Sequence, residues 1–150
     1  MKMIQKKNLR KASGLSIILM LVCIAVSASC TATQQSQTIL EITEVTGSLG
    51  AVTMTVKNIG DSTAEKITMS LSVKGGFLNR INIEKICSGC DACGTTLEPN
   101  AIKTESTAEA GKIIGFGPIV IIVSAAADNA EKVEKTCNGF VLGPFVTVTQ

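Results

Sequence analysis

Apolar and polar residues alternate along much of the chain from residue 39 onward. The alternation is clearest over residues 52–56 and again over residues 66–74. Such a pattern puts one side of an extended strand on a core and the other side in water, as antiparallel sheets do. The segment between these two runs, residues 58–62, is rich in turn-forming residues. The pattern therefore predicts two antiparallel strands joined by a turn.

Five further segments have the composition of strands. Residues 118–124 are continuously apolar, which predicts a central strand buried on both faces. Gly143 and Pro144 interrupt the last segment, as a bulge or an edge position does. No segment outside the N-terminal apolar run has a convincing helical period. The five segments are residues 39–46, 77–83, 101–109, 118–124 and 140–149.

Seven short strands over residues 39–150 predict an all-β fold, a single antiparallel β-sandwich of about seven strands. A chain of 150 residues is expected to hold one domain. Two sheets of three or four strands cover each other's apolar faces, which a single sheet does not do. The predicted core contains Val52, Met54, Val56, Ile67, Met69, Leu71, Val73 and Ile121.

Residues 52–73 (VTMTVKNIGDSTAEKITMSLSV) resemble the immunoglobulin-like domains of prokaryotic surface proteins, notably the CARDB group (cell-adhesion-related domains found in bacteria). Those domains have a strand that ends in Val-x-Asn-x-Gly, then a small polar turn, an Ala and an alternating strand. The resemblance implies a seven-stranded, immunoglobulin-like extracellular sandwich used for adhesion, spacing or binding, without catalysis. The cysteines and residues 115–118 lie outside the family pattern.

The first 29 residues have the three-part form of an export signal. A Lys-rich start is followed by an apolar run at residues 17–26 and by small residues at positions 27–29. Basic residues stay on the cytoplasmic side while the apolar run enters the bilayer. A spanning helix needs about 20 residues, which favours a cleaved signal over a permanent anchor. Residues 1–29 are therefore predicted to form a helical signal peptide or a membrane anchor.

Cys30 directly follows the small residues, and this arrangement resembles the lipobox of bacterial-type lipoproteins, with Ser27 where that motif usually has Leu. The resemblance implies that Cys30 becomes a lipid-bearing N-terminus. Free secretion and an uncleaved anchor are the alternatives. Residues 30–38 carry no charge and nothing to bury, so they are predicted to be a polar tether. The protein is expected to be exported, either attached through its N-terminus to the outer face of the membrane or secreted.

The charges and the missing residue types exclude several functions. Five of the 14 basic residues lie in the signal segment, so the remaining nine stand against 12 acidic residues, a net charge of −3. No basic cluster remains there, and nucleic-acid binding is therefore excluded. The chain has no His, which removes the commonest general base and every imidazole metal ligand. We expect no enzyme activity and no cofactor.

Four cysteines, Cys87, Cys90, Cys93 and Cys137, are the candidate site residues in the predicted domain. Export to an oxidising compartment favours two disulfides, one of which would tie Cys137 to the loop of the other three. One alternative is a four-thiolate metal or iron–sulfur site, since two-residue spacings let neighbouring sulfurs turn toward one centre. A redox-active thiol pair is the other alternative. The first interpretation predicts a structural role, and the second predicts a small exported metal-binding or electron-transfer protein.

The four Phe residues stand beside Gly or Pro at predicted turns, and we expect them to plug the core: Phe77, Phe116, Phe140 and Phe145. With no nucleophile–base pair in view, the sequence favours a non-enzymatic cell-envelope or surface domain stabilised by disulfides. Such a domain would serve as a spacer, an adhesion module or a binding module. Its partner would be an envelope protein or a glycan.

Overall fold

The architecture is built from strands. A computed structural model describes residues 36–88 and 95–149, and within this part the chain forms ten strands and two single 3₁₀ turns. The turns are Phe77–Asn79 and Thr107–Glu109. The strands are β1 (Leu40–Gly47), β2 (Val52–Asn58), β3 (Ala64–Glu65), β4 (Thr68–Gly75), β5 (Ile81–Ser88), β6 (Thr96–Leu97), β7 (Ile102–Ser106), β8 (Gly115–Ala127), β9 (Ala130–Gly143) and β10 (Phe145–Thr149).

The strands pair into two sheets and a short ribbon, all antiparallel. The smaller sheet has the order β1-β2-β7, the larger has the order β10-β9-β8-β4-β5, and β3 pairs with β6. The predicted all-β antiparallel fold is confirmed. The described part contains ten strands rather than about seven. The last predicted strand, residues 140–149, is divided between β9 and β10, and the short strands β3 and β6, which form the ribbon, were not predicted.

One hydrophobic core lies on the inner faces of both sheets. Along β2 and β4 the buried and partly exposed residues alternate strictly. All eight residues predicted to form the core are at most 1% exposed. That prediction is confirmed, and the arrangement is a β-sandwich-like pair of sheets. The alternation succeeds as a guide here because each sheet offers only one of its faces to the other.

The turn after β2 explains the Asn-x-Gly pattern. Asn58 is fully buried, and its side-chain amide donates to the carbonyls of Ser62 (2.7 Å) and Leu97 (2.9 Å). Its side-chain oxygen accepts a hydrogen bond from the backbone N–H of Gly60 at 3.0 Å. A Cβ atom at Gly60 would collide with the backbone of Gln37. Asn58 therefore holds three segments together, and Gly60 lets residues 37–39 pass close by.

The two ends of the sandwich differ in what they carry. Residues 36–39, the described segment before β1, lie beside the β8–β9 turn, where the Asn129 amide donates to the Thr38 hydroxyl at 3.0 Å. We name this the entry end. Strand β8 runs 13 residues from the opposite end, so the two ends are about 40 Å apart at roughly 3.3 Å per residue.

Two predictions about the large sheet are wrong. Residues 118–124 are not buried on both faces, since β8 alternates along its length and exposes Val120 and Ile122 at 42% and 38%. Nothing among the described residues covers that outer face. Gly143 and Pro144 do not mark a bulge within one strand. They form the turn between β9 and β10, where Phe145 pairs with Leu142 and Gly143 takes a positive φ of 64°.

Candidate functional site

All four aromatic residues of the chain lie on the surface. Phe77, Phe116, Phe140 and Phe145 are 68%, 57%, 41% and 62% exposed, so the prediction that they plug the core is wrong. The physical reason is strand phase. In β8 and β9 the buried positions have odd numbers, which points Phe116 and Phe140 outward. Phe77 stands in a 3₁₀ turn that buries none of its residues.

Other apolar side chains gather at the same end of the sandwich. Three backbone hydrogen bonds tie the contributing loops together: Gly50 N–H to Pro144 O (2.6 Å), Ile113 N–H to Gly50 O (2.8 Å) and Gly76 N–H to Pro118 O (2.7 Å). We call the resulting group the apolar end. Its members, each between 41% and 73% exposed, are Leu49, Phe77, Leu78, Ile114, Phe116, Phe140, Leu142 and Phe145.

The exposed apolar surface is as large as the largest apolar patch of a typical monomer even when only the Phe residues are counted. At about 200 Å² per aromatic side chain, the four Phe residues alone expose roughly 400–500 Å². The largest apolar patch on a typical monomer is about 300–600 Å² in total and is often functional. Leu49, Leu78, Ile114 and Leu142 add to this area, and Val120 and Ile122 extend it along the sheet. The apolar end therefore has the character of a binding surface.

The outer face of the small sheet is mostly polar, although Ile102 on β7 is 62% exposed there. Thr55 and Thr104 face each other there with hydroxyl oxygens 3.4 Å apart, and Lys57 follows on the same strand. Buried and exposed residues alternate in both sheets, and the sheets differ in which residue types occupy the exposed positions. The apolar part of the outer face of the large sheet thus lies mainly on β8 and at the β9 and β10 residues next to their turn, because the other outward residues of β9 and β10 are polar. Strand β5 adds Ile86, which is 63% exposed.

Basic side chains surround the apolar end. Lys74 pairs in register with Val120, Arg80 follows the Phe77–Asn79 turn, and Lys112 precedes the buried Ile113, and all three are exposed. Glu109 is the acidic residue of the described part that lies among these loops. Its carboxylate is held 2.8 Å from the Lys85 ammonium group. The surface around the apolar end is therefore positive.

A second cluster lies at the edge where β5 and β7 meet. The Lys85 ammonium group donates to Glu105 Oε2 (3.1 Å), to Glu109 Oε2 (2.8 Å) and to the Ser106 carbonyl (3.0 Å). The side chains of Lys85 and Glu105 are only 14% and 11% exposed. The hydrogen bond to Glu109, and then that to Glu105, raises the pKa of Lys85 against the opposing effect of desolvation. The same contact lowers the pKa of Glu109. An inward-pointing charge on an edge strand also discourages pairing with another chain.

Cys87 lies beside this edge cluster on β5. It is disulfide-bonded and 7% exposed. Its sulfur lies 3.6 Å from Glu105 Oε1, and a disulfide sulfur has no proton to donate there. Cys90 and Cys93, as well as the predicted lipidation site Cys30, lie outside the described residues. The pairing predicted among the loop cysteines stays a prediction.

Cys137 is a free thiol, 2% exposed, in the core side of β9. The predicted disulfide between Cys137 and the loop is therefore not formed in this structure.

Cys137 pairs with Ile121, Ile121 with Val73, and Val73 with Ile83, which puts Cys137 three strand spacings, about 14 Å, from β5. Cys87 lies four residues farther along β5, about 13 Å more. A disulfide needs Cα atoms within about 7 Å, and metal-bound sulfurs each lie about 2.3 Å from the ion. Cys87 and Cys137 can therefore share neither a bond nor a metal.

Two further features of the described residues bear on chemistry. No group of three or more Cys, Asp or Glu side chains there is placed to hold a metal ion. A polar cavity at the entry end is lined by Ser36, Gln37, Thr38, Ser62 and Asn129. None of these side chains is titratable, so the cavity has no candidate acid or base.

Comparison with known proteins adds little to this picture. No protein-family model matches the chain, and no curated protein matches it either. One solved structure, described as the X-ray structure of Northeast Structural Genomics Consortium target SoR45, is 17% identical, with a TM-score of 0.38 over 77% of this chain and 86% of its own. At that score the likeness supports no inference, and the fold rests on the strand pairing itself. Within residues 36–88 and 95–149, no helix is long and apolar enough to cross a membrane.

One signal in the sequence pointed to the exposed residues. In β9 the even positions from Lys132 to Asn138 are all polar, which marks them as the outward side. The same phase carried forward puts Phe140 and Leu142 outward as well. Strand β8 offers no such marker because its residues are apolar at both phases over residues 118–123.

Proposed function

We propose that this protein is a non-enzymatic domain of the cell envelope or cell surface that binds a partner through its apolar end. Export, and attachment through the N-terminus with or without lipid on Cys30, belong to the proposal on the basis of residues 1–30. The resemblance of residues 52–73 to immunoglobulin-like CARDB domains supports a module for adhesion, spacing or binding. The all-β antiparallel fold is compatible with that class.

The observation that carries the proposal is the exposure of all four aromatic residues. Aromatic side chains are enriched in the cores of interfaces because each covers a large area with little loss of conformational freedom. The chain has no Trp and no Tyr, and every Phe is 41–68% exposed, so no aromatic ring fills the core. Burial against a partner accounts for this exposure.

The alternative, a small exported metal-binding or electron-transfer protein, needs Cys87 and Cys137 at one centre. Cys87 lies on an outer strand of the large sheet and is disulfide-bonded, whereas Cys137 is a free thiol three strands away. A thiolate in a disulfide cannot ligate a metal. The geometry of these two residues therefore favours the binding domain.

Site-specific photo-crosslinking in cells that make the full chain tests the proposal. A photoreactive amino acid replaces Leu142 at the apolar end or, as the matched control, Thr104 on the outer face of the small sheet. Both positions are exposed in strands. We expect adducts, whether protein, glycan or lipid, from position 142 and none from position 104. Equal labelling at both positions, or no adduct at either, would overturn the proposal.

A further inference from the structure

We infer that the partner of the apolar end is a membrane surface rich in anionic lipid. The inference rests on the proposed function, because it takes the apolar end to be the binding surface and names what binds there. Two features carry it, the shape of the surface and the charge around it, and a third, the distance of the apolar end from the entry end, makes it testable on a fragment.

The first feature is that the apolar side chains project from several separate segments. Leu49 lies in the β1–β2 loop, Leu78 in the 3₁₀ turn and Ile114 just before β8, at 69%, 73% and 63% exposure. Leu78 and the following Asn79 have positive φ values of 57° and 54°, a conformation that costs free energy for residues other than Gly. A set of protruding loop side chains needs a surface that can surround it. The boundary between lipid head groups and acyl chains does so, because apolar groups enter it to a depth of about 5–10 Å.

The second feature is the positive charge beside these side chains. Lys74, Arg80 and Lys112 border the apolar end. Glu109 shares the single cation of Lys85 with Glu105, so that cluster has a net charge of −1, and together with the three cations the sum is +2. Two acidic residues lie on the outer face of the large sheet farther from this end. Glu84 is in register with Ser72, one outward position beyond Lys74, and Glu134 is in register with Ser124. An anionic bilayer attracts nearby Lys and Arg side chains. Apolar insertion and electrostatic attraction therefore act at the same end.

The charge also decides between a membrane and a second copy of the chain. In a symmetric pair formed through the apolar ends, each copy would bring the same three cations toward those of the other. Like charges brought together across an interface oppose association. A membrane with anionic head groups has the complementary sign and is favoured over self-association.

The third feature is that the apolar end lies about 40 Å from the entry end, by the length of β8. Gln37 at the entry end is fixed by a hydrogen bond from its backbone N–H to Asp61 Oδ1 at 2.6 Å. Docking through the apolar end therefore uses none of residues 36–39. The buried core lies wholly between Leu40 and Val146, and Gln35–Gln150 form one compact unit. A fragment beginning at Gln35 thus keeps the complete core and can be tested without the N-terminal apolar run.

Co-sedimentation of this fragment with lipid vesicles tests the inference. The vesicles contain either phosphatidylcholine alone or phosphatidylcholine with phosphatidylglycerol. We expect the fragment to bind the anionic vesicles more tightly than the neutral ones, and added salt to weaken that binding. Lys74→Ser, Arg80→Ser and Lys112→Ser should each weaken it about fivefold. Combined Leu142→Ser and Phe145→Ser should lower it by more than about tenfold. Lys57→Ser, which removes one cation from the opposite sheet, is the matched control and should leave binding unchanged.

Circular dichroism and thermal melting of each variant separate lost binding from lost folding. Equal binding to both vesicle types, no binding to either, or unchanged binding by the Leu142→Ser/Phe145→Ser variant would overturn the lipid inference. The proposed function fails separately. If vesicles are not bound but position 142 still crosslinks a protein or glycan in cells, the binding surface stands and its partner is not lipid. A fragment dimer that Phe145→Ser dissolves, in sedimentation velocity, would assign the apolar end to a second copy and also overturn the lipid inference.

Discussion

Phe116 and Phe140 meet edge to face on the outer side of the large sheet, with ring centroids 5.3 Å apart and ring planes at 86°. The pair follows from the β8–β9 register, in which Phe140 lies opposite Pro118 and Phe116 lies opposite Leu142. Edge-to-face packing is the arrangement that aromatic rings prefer, and it is worth about 0.5–1.5 kcal/mol beyond the area that it buries. The two rings thus hold each other in place while remaining open to solvent. A surface fixed in this way loses little side-chain freedom when a partner covers it.

The alternation of inner and outer positions in β9 predicts unequal effects for two neighbouring residues. Val141 is fully buried and Leu142 is 59% exposed. Val141→Ser should lower the free energy of unfolding by about 2–4 kcal/mol, because it leaves a void and buries a hydroxyl group. Leu142→Ser should cost about 1 kcal/mol or less, since most of the side chain is already in water. Urea titration of both variants measures the difference. Equal losses would mean that Leu142 packs inward.

Asn58 should be the polar side chain least tolerant of change. Asn58→Asp replaces an amide that donates to the Ser62 and Leu97 carbonyls by a carboxylate that faces the same two oxygens. Because the site is fully buried, we expect a loss of more than about 3 kcal/mol. The control is Asn82→Asp on the exposed side of β5, which should stay within about 0.5 kcal/mol. Thermal melting checks both, and a mild effect at Asn58 would show that the turn can rearrange.

The sequence was a sound guide wherever polar residues marked the phase of a strand. The polar Thr and Lys residues of β2 and the Ser residues of β4 identified the inner positions, and the predicted core there is buried without exception. The Asn-x-Gly turn was likewise visible, because it depends on residues close together in the chain. Local spacing therefore predicted the fold class and the centre of the core.

The sequence did not reveal most of the candidate site, because no polar residues mark the phase of the strand that contributes to it. In β8 both phases are apolar, so the sequence did not show which side would be covered. Whether an outer face is covered depends on how many strands each sheet has, and this is decided by pairing between distant segments. The separation of Cys87 from Cys137 has the same origin, since two strands, β4 and β8, come between theirs in the sheet. Cysteine spacing alone carries no information on that order.

The ion pairs of Lys85 provide a test of the edge cluster. Lys85→Met keeps the length of the side chain but leaves Glu105, which is 11% exposed, without its cation. We expect the free energy of unfolding to fall by about 1–3 kcal/mol, because a nearly buried carboxylate loses its partner. Lys132→Met is the control: its pair with Glu134 is about half exposed on both sides, and the change should be within about 0.5 kcal/mol. If Lys85→Met with Glu105→Leu is no more stable than Lys85→Met alone, the unpaired carboxylate is not the cause.

The ion pair of Lys85 and Glu109 should make the stability of the protein fall at both high and low pH. The pKa of Lys85 is raised above 10.5 by its hydrogen bond to Glu109, so its contribution is complete below about pH 10.5 and is lost as the pH rises through the raised value. The pKa of Glu109 is lowered below 4.5, so its contribution is complete above about pH 4.5 and is lost as the pH falls through the lowered value. Glu109→Gln should remove the acid-side loss, as chemical denaturation across pH would show. An unchanged acid limb would mean that other carboxylates dominate it.

Cys137 should behave as a core residue and not as a reactive thiol. It is 2% exposed among the apolar residues of the inner face, so a reagent in solution does not reach its sulfur while the protein is folded. Iodoacetamide should therefore leave Cys137 unmodified in the folded protein and label it completely in guanidinium chloride without reductant. Peptide mass spectrometry distinguishes the two states.

Cys137→Ala should lower the free energy of unfolding by about 1 kcal/mol, because it leaves a small void. Cys137→Ser should lower it more, because its hydroxyl group is buried as well. A Cys137 peptide linked to Cys90 or Cys93 in the unreduced protein would contradict the free thiol and restore the disulfide first predicted from the sequence.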